Sequence, residues 1–329
     1  HMSKSHKIKV GVVGVGHLGK FHVQQYHNID NVICMGIFDT NANVSSEIAQ
    51  KYNIKVYDTL KSLIKECEAI SICTPTSTHY QVAKQALRSD CHVLIEKPIT
   101  HDIIEAQNLI EISNEFDKII QVGHIERFNP ALSELSLEDI KPKFIESHRL
   151  SPFNTRGTDV DVVLDLMIHD IDLLLNVVKS DINNIVASGV SVLSDKIDMA
   201  NTRIEFKDGC VANLTASRVS QKQLRKFRIF ENHKYTNIDF LQPCQETYLF
   251  AKNKPKEKSP YVLVNENQDK YILYHQQKIK SYNALTLELE NFIDSIVNHK
   301  NPLVTAYDGL AALEVAFEIL QQINLNNKK

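Results

Sequence analysis

An almost wholly apolar, β-branched run at residues 7–15, KIKVGVVGV, leads straight into Gly14-Val15-Gly16-His17-Leu18-Gly19 and an amphipathic stretch at 17–28. A buried strand that ends in GxGxxG and opens a helix leaves few folds available. The first glycine permits the tight turn, the second lets the backbone approach a pyrophosphate, and the third lets the helix pack close to the strand. The helix N-terminus then offers free N–H groups to phosphate charge. GxGxxG by itself also fits a simple packing turn. Here the next apolar run, VICMGIFD at 32–39, ends in Asp39, about 20 residues past the last glycine, where a carboxylate accepts hydrogen bonds from ribose hydroxyls. Strand, glycine loop, helix, strand and acid in that order predict a dinucleotide site. Asp39 repels a 2′-phosphate, and Thr40, Asn41 and Ala42 bring no Arg or Lys to welcome one, so NAD is favoured over NADP.

The alternation continues with AISICTP at 69–75, HVLIEKP at 92–98 and KIIQVGH at 118–124, separated by amphipathic stretches at 42–53, 77–88 and 102–116. Continuous apolar strands joined through helices require a parallel sheet covered on both faces, and right-handed crossovers make it doubly wound. After about residue 124 the pattern changes. It predicts a helix over 128–140, a strand at 144–150 and a long apolar helix over 161–179. Residues 183–275 are β-rich, with a hairpin at Asp208-Gly209, and helices at 284–298 and 306–323 close the chain. The expectation is an α/β protein: a dinucleotide-binding domain over 7–123, then an α+β domain over 124–325 built on a large, open, mostly antiparallel sheet.

Composition narrows the function classes. With 329 residues, 43% hydrophobic and 23% charged, the chain has a globular balance and length for two domains. Its 37 basic and 40 acidic residues give a net charge of −3 with no long basic block, which argues against nucleic acid as partner. The 6 cysteines form no CxxC pair and no Cys/His cluster with zinc-ligand spacing, so they read as reduced core thiols. The first residues, His-Met-Ser-Lys, carry no apolar signal region, and no stretch reaches the ~18 apolar residues of a spanning helix. A cytoplasmic protein without a membrane segment is expected.

Two further strand ends belong to the ligand crevice, because ligands bind beyond the carboxyl ends of such strands. They are Cys73-Thr74-Pro75 and Glu96-Lys97-Pro98. A charged pair at the end of a buried strand is either a structural ion pair or functional. In the functional reading Lys97 stands beside the nicotinamide, where a cation binds substrate hydroxyls and favours the alkoxide that precedes hydride loss. The greasy helix over 161–179 carries a polar stripe, with Asp161, Asp165, His169 and Asp172 spaced four, four and three apart. Burying such a stripe is costly unless its members are paired or functional. One turn apart, Asp165 can orient His169 and raise its basicity, which prepares a general base. A metal site from Asp165, His169 and Asp172 is the poorer reading, since no further His or Cys ligand is evident, and no metal is expected.

GVGHLG, the CTPTSTH strand end, EKP and the D-x-x-x-H-x-x-D helix together resemble the Gfo/Idh/MocA oxidoreductase family over about residues 7–325. The resemblance implies a Rossmann domain, then an α/β domain whose open sheet supports substrate binding and assembly into a homodimer or homotetramer. It also implies hydride transfer between a nicotinamide cofactor and a sugar or cyclitol hydroxyl. Carried onto this sequence, it gives Lys97, Asp165 and His169 as the catalytic set. The implied cofactor residues are Gly14, Gly16, His17, Leu18, Gly19, Asp39, Thr40, Thr74, Pro75, His79, Glu96 and Lys97. Ile168 departs from the pattern, where many relatives have Gly before the His.

A narrower resemblance rests on GHIERFNP at 123–130 and on the runs Arg149-Leu-Ser-Pro-Phe and Arg156-Gly-Thr-Asp-Val-Asp-Val-Val-Leu-Asp-Leu-Met-Ile-His-Asp-Ile-Asp. These look like the branch that oxidises the 3-hydroxyl of UDP-N-acetylglucosamine, whose 3-keto product passes to an aminotransferase and on to lipid A. That resemblance implies a substrate set of His124, Arg127, Asn129, Arg149, Arg156, Asp159 and Asp172. The three arginines are forks suited to a pyrophosphate, and Asn129 and Asp159 suit sugar hydroxyls or the N-acetyl group. The competing reading pairs the arginines with Glu126, Glu146 and Asp159. The alternatives on function are a dehydrogenase for free inositol or an unactivated sugar, and a catalytically silent NAD-binding regulator.

Overall fold

The computed structural model describes residues 6–133, 135–154, 160–253, 261–265 (backbone only), 270–277 and 279–327. The chain forms two compact units, His1–Phe128 with Asn283–Leu313, and Asn129–Tyr282 with Glu314–Lys329. The expected domain boundary at 123/124 marks the change of pattern along the chain. By packing, the C-terminal segment 283–313 returns to the first unit.

The first unit holds five parallel strands, β1 (Ile8–Val13), β2 (Val32–Phe38), β3 (Ala69–Ile72), β4 (His92–Glu96) and β5 (Ile120–Gly123), in the order β2-β1-β3-β4-β5. The order reverses between β1 and β3, which opens the crevice where such sheets bind ligands. The helices are α1 (Gly19–Tyr26), α2 (Ala42–Tyr52), α3 (Leu60–Glu66), α4 (Thr76–Arg88) and α5 (Ile103–Glu115). Three of them start at side-chain caps: Asn41 for α2, a Thr59–Ser62 capping box for α3, and Asp102 for α5. The short α3 has no counterpart in the sequence reading, because seven residues carry too little periodicity.

Among its described residues the second unit contains α6 (Ile168–Val177) and nine strands, β6 (Phe144–Leu150), β7 (Ile182–Val190), β8 (Met199–Phe206), β9 (Val211–Ser217), β10 (Leu224–Glu231), β11 (Lys234–Asp239), β12 (Cys244–Ala251), β13 (Tyr261–Asn265) and β14 (Lys270–Gln277). They form one sheet, β13-β14-β12-β11-β10-β6-β9-β8-β7, with β6 and β9 parallel and the other neighbours antiparallel. The expected hairpin joins β8 to β9, with Gly209 at φ +87° and the Asp208 carboxylate accepting from the Cys210 N–H.

Helix α7 (Ala284–Val297) lies in the first unit, where Leu289, Phe292, Ile293 and Ile296 share a core with Val10, Val12, Val23 and Leu94. Each such side chain contributes roughly 1.5–3 kcal/mol on burial, enough to fix where this helix docks. The last helix, α8 (Ala306–Asn326), gives its first turns to the first unit and the remainder to the second. Among the described residues no helix is long and apolar enough to cross a membrane.

Two expected helices are corrected. Among its described residues the segment 128–140 forms only short 3₁₀ turns, Ile125–Phe128 and Pro130–Leu132. Asn129, held extended at ψ 132° before Pro130, cannot continue a helix. The stripe-bearing helix begins as a π-helical turn, Val163–Met167, and only then becomes α6. Asp161 precedes it and accepts the Ile197 N–H through Oδ1 at 2.8 Å.

Candidate cofactor crevice and polar residues of the second unit

The glycine loop is built around space. Gly14, at φ +81°, donates its N–H to the Phe38 carbonyl, and a Cβ there would stand 2.9 Å from the Cys73 backbone. A Cβ on Gly19 would lie 1.8 Å from the Gly14 carbonyl oxygen. A Cβ on Gly16 would meet nothing within 4 Å, so this position faces open space. The N-cap of α1, Leu18, makes no side-chain cap hydrogen bond to that helix start. Asp39 accepts the Val15 N–H at 2.8 Å through Oδ2 and the Asn41 N–H at 2.8 Å through Oδ1. It therefore shapes the loop, and lone pairs remain on each oxygen for ribose hydroxyls. Glycines cleared for a ligand, an uncapped helix start and an acid at the next strand end suit a dinucleotide.

The neighbouring strand ends are cross-braced. Thr78 Oγ1 donates to the Pro75 carbonyl at 2.8 Å and lies 2.8 Å from Thr74 Oγ1. His79 is 1% exposed, with Nε2 2.9 Å from the Thr74 carbonyl and Nδ1 2.9 Å from the Pro98 carbonyl. Expected among the cofactor residues, it ties the loop after β3 to the loop after β4. Burial, ahead of those hydrogen bonds, lowers its pKa. Lys97, half-buried, follows β4, and the Lys97–Pro98 peptide is cis.

Glu96, last residue of β4, receives a hydrogen bond from His22 Nε2 of α1 at 2.8 Å, and Gly123 makes room for it, since a Cβ there would touch Glu96 Oε2 at 2.8 Å. His22, Cys73 and Glu96 hold ligand-type atoms all within 4.8 Å of one another. The sequence reading missed this grouping because its members come from three separate elements. His124, at the end of β5, is fully buried.

In the second unit, Asp165 lies in the π turn and His169 at the start of α6, both half-buried, while Asp172 is 1% exposed. Arg149 of β6 makes a forked ion pair with Asp170, Nε to Oδ2 at 2.8 Å and Nη2 to Oδ1 at 2.9 Å, with both side chains 3% exposed. The sequence reading missed Asp170, since it faces away from the polar stripe. Asn129 caps the Ala131 N–H and donates Nδ2 to the Phe240 carbonyl at 3.2 Å. In the first unit Arg127 pairs with Asp308 at 3.3 Å, and Glu146, named as a competing arginine partner, instead binds Arg228 of the neighbouring strand. Arg156 and Asp159 lie outside the described residues. The described cysteines are free thiols, with Cys67, Cys91 and Cys210 buried and Cys34, Cys73 and Cys244 half-buried.

Family models match at residues 8–124, described as an oxidoreductase family with NAD-binding Rossmann fold, and at 141–233, the GFO/IDH/MocA C-terminal domain. UDP-N-acetylglucosamine 3-dehydrogenase of Acidithiobacillus ferrooxidans is 36% identical over 95% of this chain and 96% of that one. A solved structure of that enzyme superposes with a TM-score of 0.89 at 34% identity, covering 96% and 97% of the two chains. Myo-inositol 2-dehydrogenase of Thermotoga maritima is 24% identical over 94% of each chain.

Proposed function

The chain belongs to the Gfo/Idh/MocA oxidoreductase family, with an NAD-binding Rossmann unit, and from that membership we propose that it oxidises the 3-hydroxyl of UDP-N-acetylglucosamine to the 3-keto sugar nucleotide. The supporting observation is identity at more than a third of positions, along nearly the whole of both chains, to an enzyme named for that reaction. Gly14–Gly19 and Asp39 would hold NAD, which would supply the hydride acceptor. The Asp39 carboxylate disfavours a 2′-phosphate, which sets the preference for NAD over NADP.

Lys97 binds the reacting hydroxyl and favours its alkoxide by charge. His169, oriented by Asp165, takes the hydroxyl proton. Arg156, with Arg127 and Arg149, provides cationic character for the diphosphate, although Arg127 and Arg149 are also held by Asp308 and Asp170. Asp159, Asp172, Asn129 and His124 complete the proposed sugar contacts. The 3-keto product is the carbonyl an aminotransferase consumes, which fits a role in making a 3-amino sugar for lipid A in the cytoplasm. Assembly as a homodimer or homotetramer is supported by a row of half-buried rings on one sheet face. Phe144, Phe230, Tyr235, Tyr248 and Tyr274 follow one another at 5.7, 4.8, 5.3 and 5.1 Å across five strands.

The inositol reading is kept alive by the myo-inositol 2-dehydrogenase likeness. UDP alone separates the two. Competitive inhibition by UDP, with NADH formed from UDP-N-acetylglucosamine but not from free inositol, is the expected outcome. No inhibition at millimolar UDP, with turnover of free polyols, would overturn the nucleotide-sugar assignment.

A further inference from the structure

Glu288 of α7 is wholly buried, and among the described residues neither of its carboxylate oxygens has a hydrogen-bond donor. An ionised carboxylate in that condition has lost its hydration and gained nothing. The titratable groups that interact with it are Glu96 at the end of β4, Cys73 after β3 and Tyr26 of α1, none of them a cation. His22, Lys97 and His79 act on Glu96 and are absent from the groups that act on Glu288. Gln121 of β5 donates Nε2 to the Glu288 carbonyl oxygen at 2.8 Å, and its Oε1 is likewise buried without a donor. A proton held on the Glu288 carboxyl removes that uncompensated charge.

We propose that Glu288 is a proton-holding residue of the first unit: a neutral carboxylic acid that leaves Glu96, hydrogen-bonded to His22, as the anion of the cluster. The electrostatics agree with the geometry. Burial, and then the Glu96 charge, push Glu288 well above the usual carboxylate range. Burial alone would raise Glu96 too, but the hydrogen bond from His22, with Lys97 close by, holds it below that range.

Proton linkage provides the test. The folded chain keeps a proton on Glu288 that the unfolded chain releases near its ordinary pKa of about 4.3. Above that pH the unfolded state binds fewer protons, so this residue makes folding less favourable as pH rises, until its folded pKa is passed. Denaturant unfolding of the full chain and of Glu288→Gln, between about pH 6 and about pH 8, reads the difference. The ratio of variant to wild-type folding constants should rise about tenfold per pH unit, because glutamine cannot titrate.

Infrared spectra at neutral pH should show a protonated-carboxyl band in the wild type that the variant lacks. A pH-independent ratio would overturn the proposal. If the variant does not fold, the absence of any such band in the wild type would do the same. One equivalent of a divalent metal in the purified protein would also overturn it, since a cation held by His22, Cys73 and Glu96 would then balance Glu288. No substrate enters these measurements, so they are independent of the proposed reaction.

Discussion

The glycine crevice of the first unit and the β6–α6 region of the second both present charged and polar groups, but they are organised in opposite ways. In the crevice the ligand-facing surface is mostly backbone. Gly16 opens onto unfilled space, α1 starts without a capping side chain, and Asp39 binds two N–H groups of its own loops. In the second unit, Arg149 is closed on Asp170 in the interior and Asn129 is bonded to Ala131 and Phe240. A backbone-built site can lose ligand affinity while the fold stays intact. A site assembled from paired buried side chains couples its chemistry to stability.

That contrast is broken most severely at the proposed catalytic residues, which should affect chemistry alone. His169→Asn should lower turnover by roughly 10²–10⁴, the worth of a positioned base, and leave NAD affinity and the melting temperature close to wild type, since His169 is only half-buried. Lys97→Met should cost at least as much and alter the pH profile. Wild-type turnover in both variants would remove these two residues from the mechanism.

Arg149 should behave in the other way. Removing one member of a buried ion pair typically costs about 3–5 kcal/mol, because the partner charge is left unpaired. Arg149→Met is therefore expected to unfold at markedly lower denaturant, and Arg149→Met with Asp170→Leu to recover much of the loss. A stable single variant whose only defect is a raised KM for the UDP-sugar would place the main role of Arg149 at the substrate.

The same contrast explains what could be read from the sequence. The parallel sheet, the crevice and Asp39 were accessible because each is encoded within a few residues: glycines at fixed offsets, a strand pattern, an acid at the next strand end. The strand at 144–150 and the Asp208-Gly209 hairpin were accessible for the same reason. The Arg149–Asp170 and His22–Glu96 contacts were not, because their partners lie 21 and 74 residues apart and only the folded topology joins them. Return of α7 to the first unit was hidden likewise, since its apolar stripe says that it docks and not against which sheet. The expected helix over 128–140 failed on Asn129-Pro130, where a local backbone restriction overrode the apolar pattern.

The finest test of a backbone-built site compares two of its glycines. Gly19→Ala should damage the protein itself, for its Cβ would lie 1.8 Å from the Gly14 carbonyl oxygen and α1 would have to move away from β1. Gly16→Ala should not. Its φ lies outside the left-handed region, and the new methyl group meets no protein atom within 4 Å, so the stability of the NAD-free chain should stay within about 0.5 kcal/mol of wild type. The cost should appear only when the pyrophosphate seeks the same space. Forcing one methyl group into a close contact costs about 1–3 kcal/mol, roughly a five- to 150-fold loss of NAD affinity by titration calorimetry. An unchanged affinity would mean that the dinucleotide backbone does not pass Gly16, and an unstable NAD-free variant would mean that the loop is closed by protein rather than held open for a ligand.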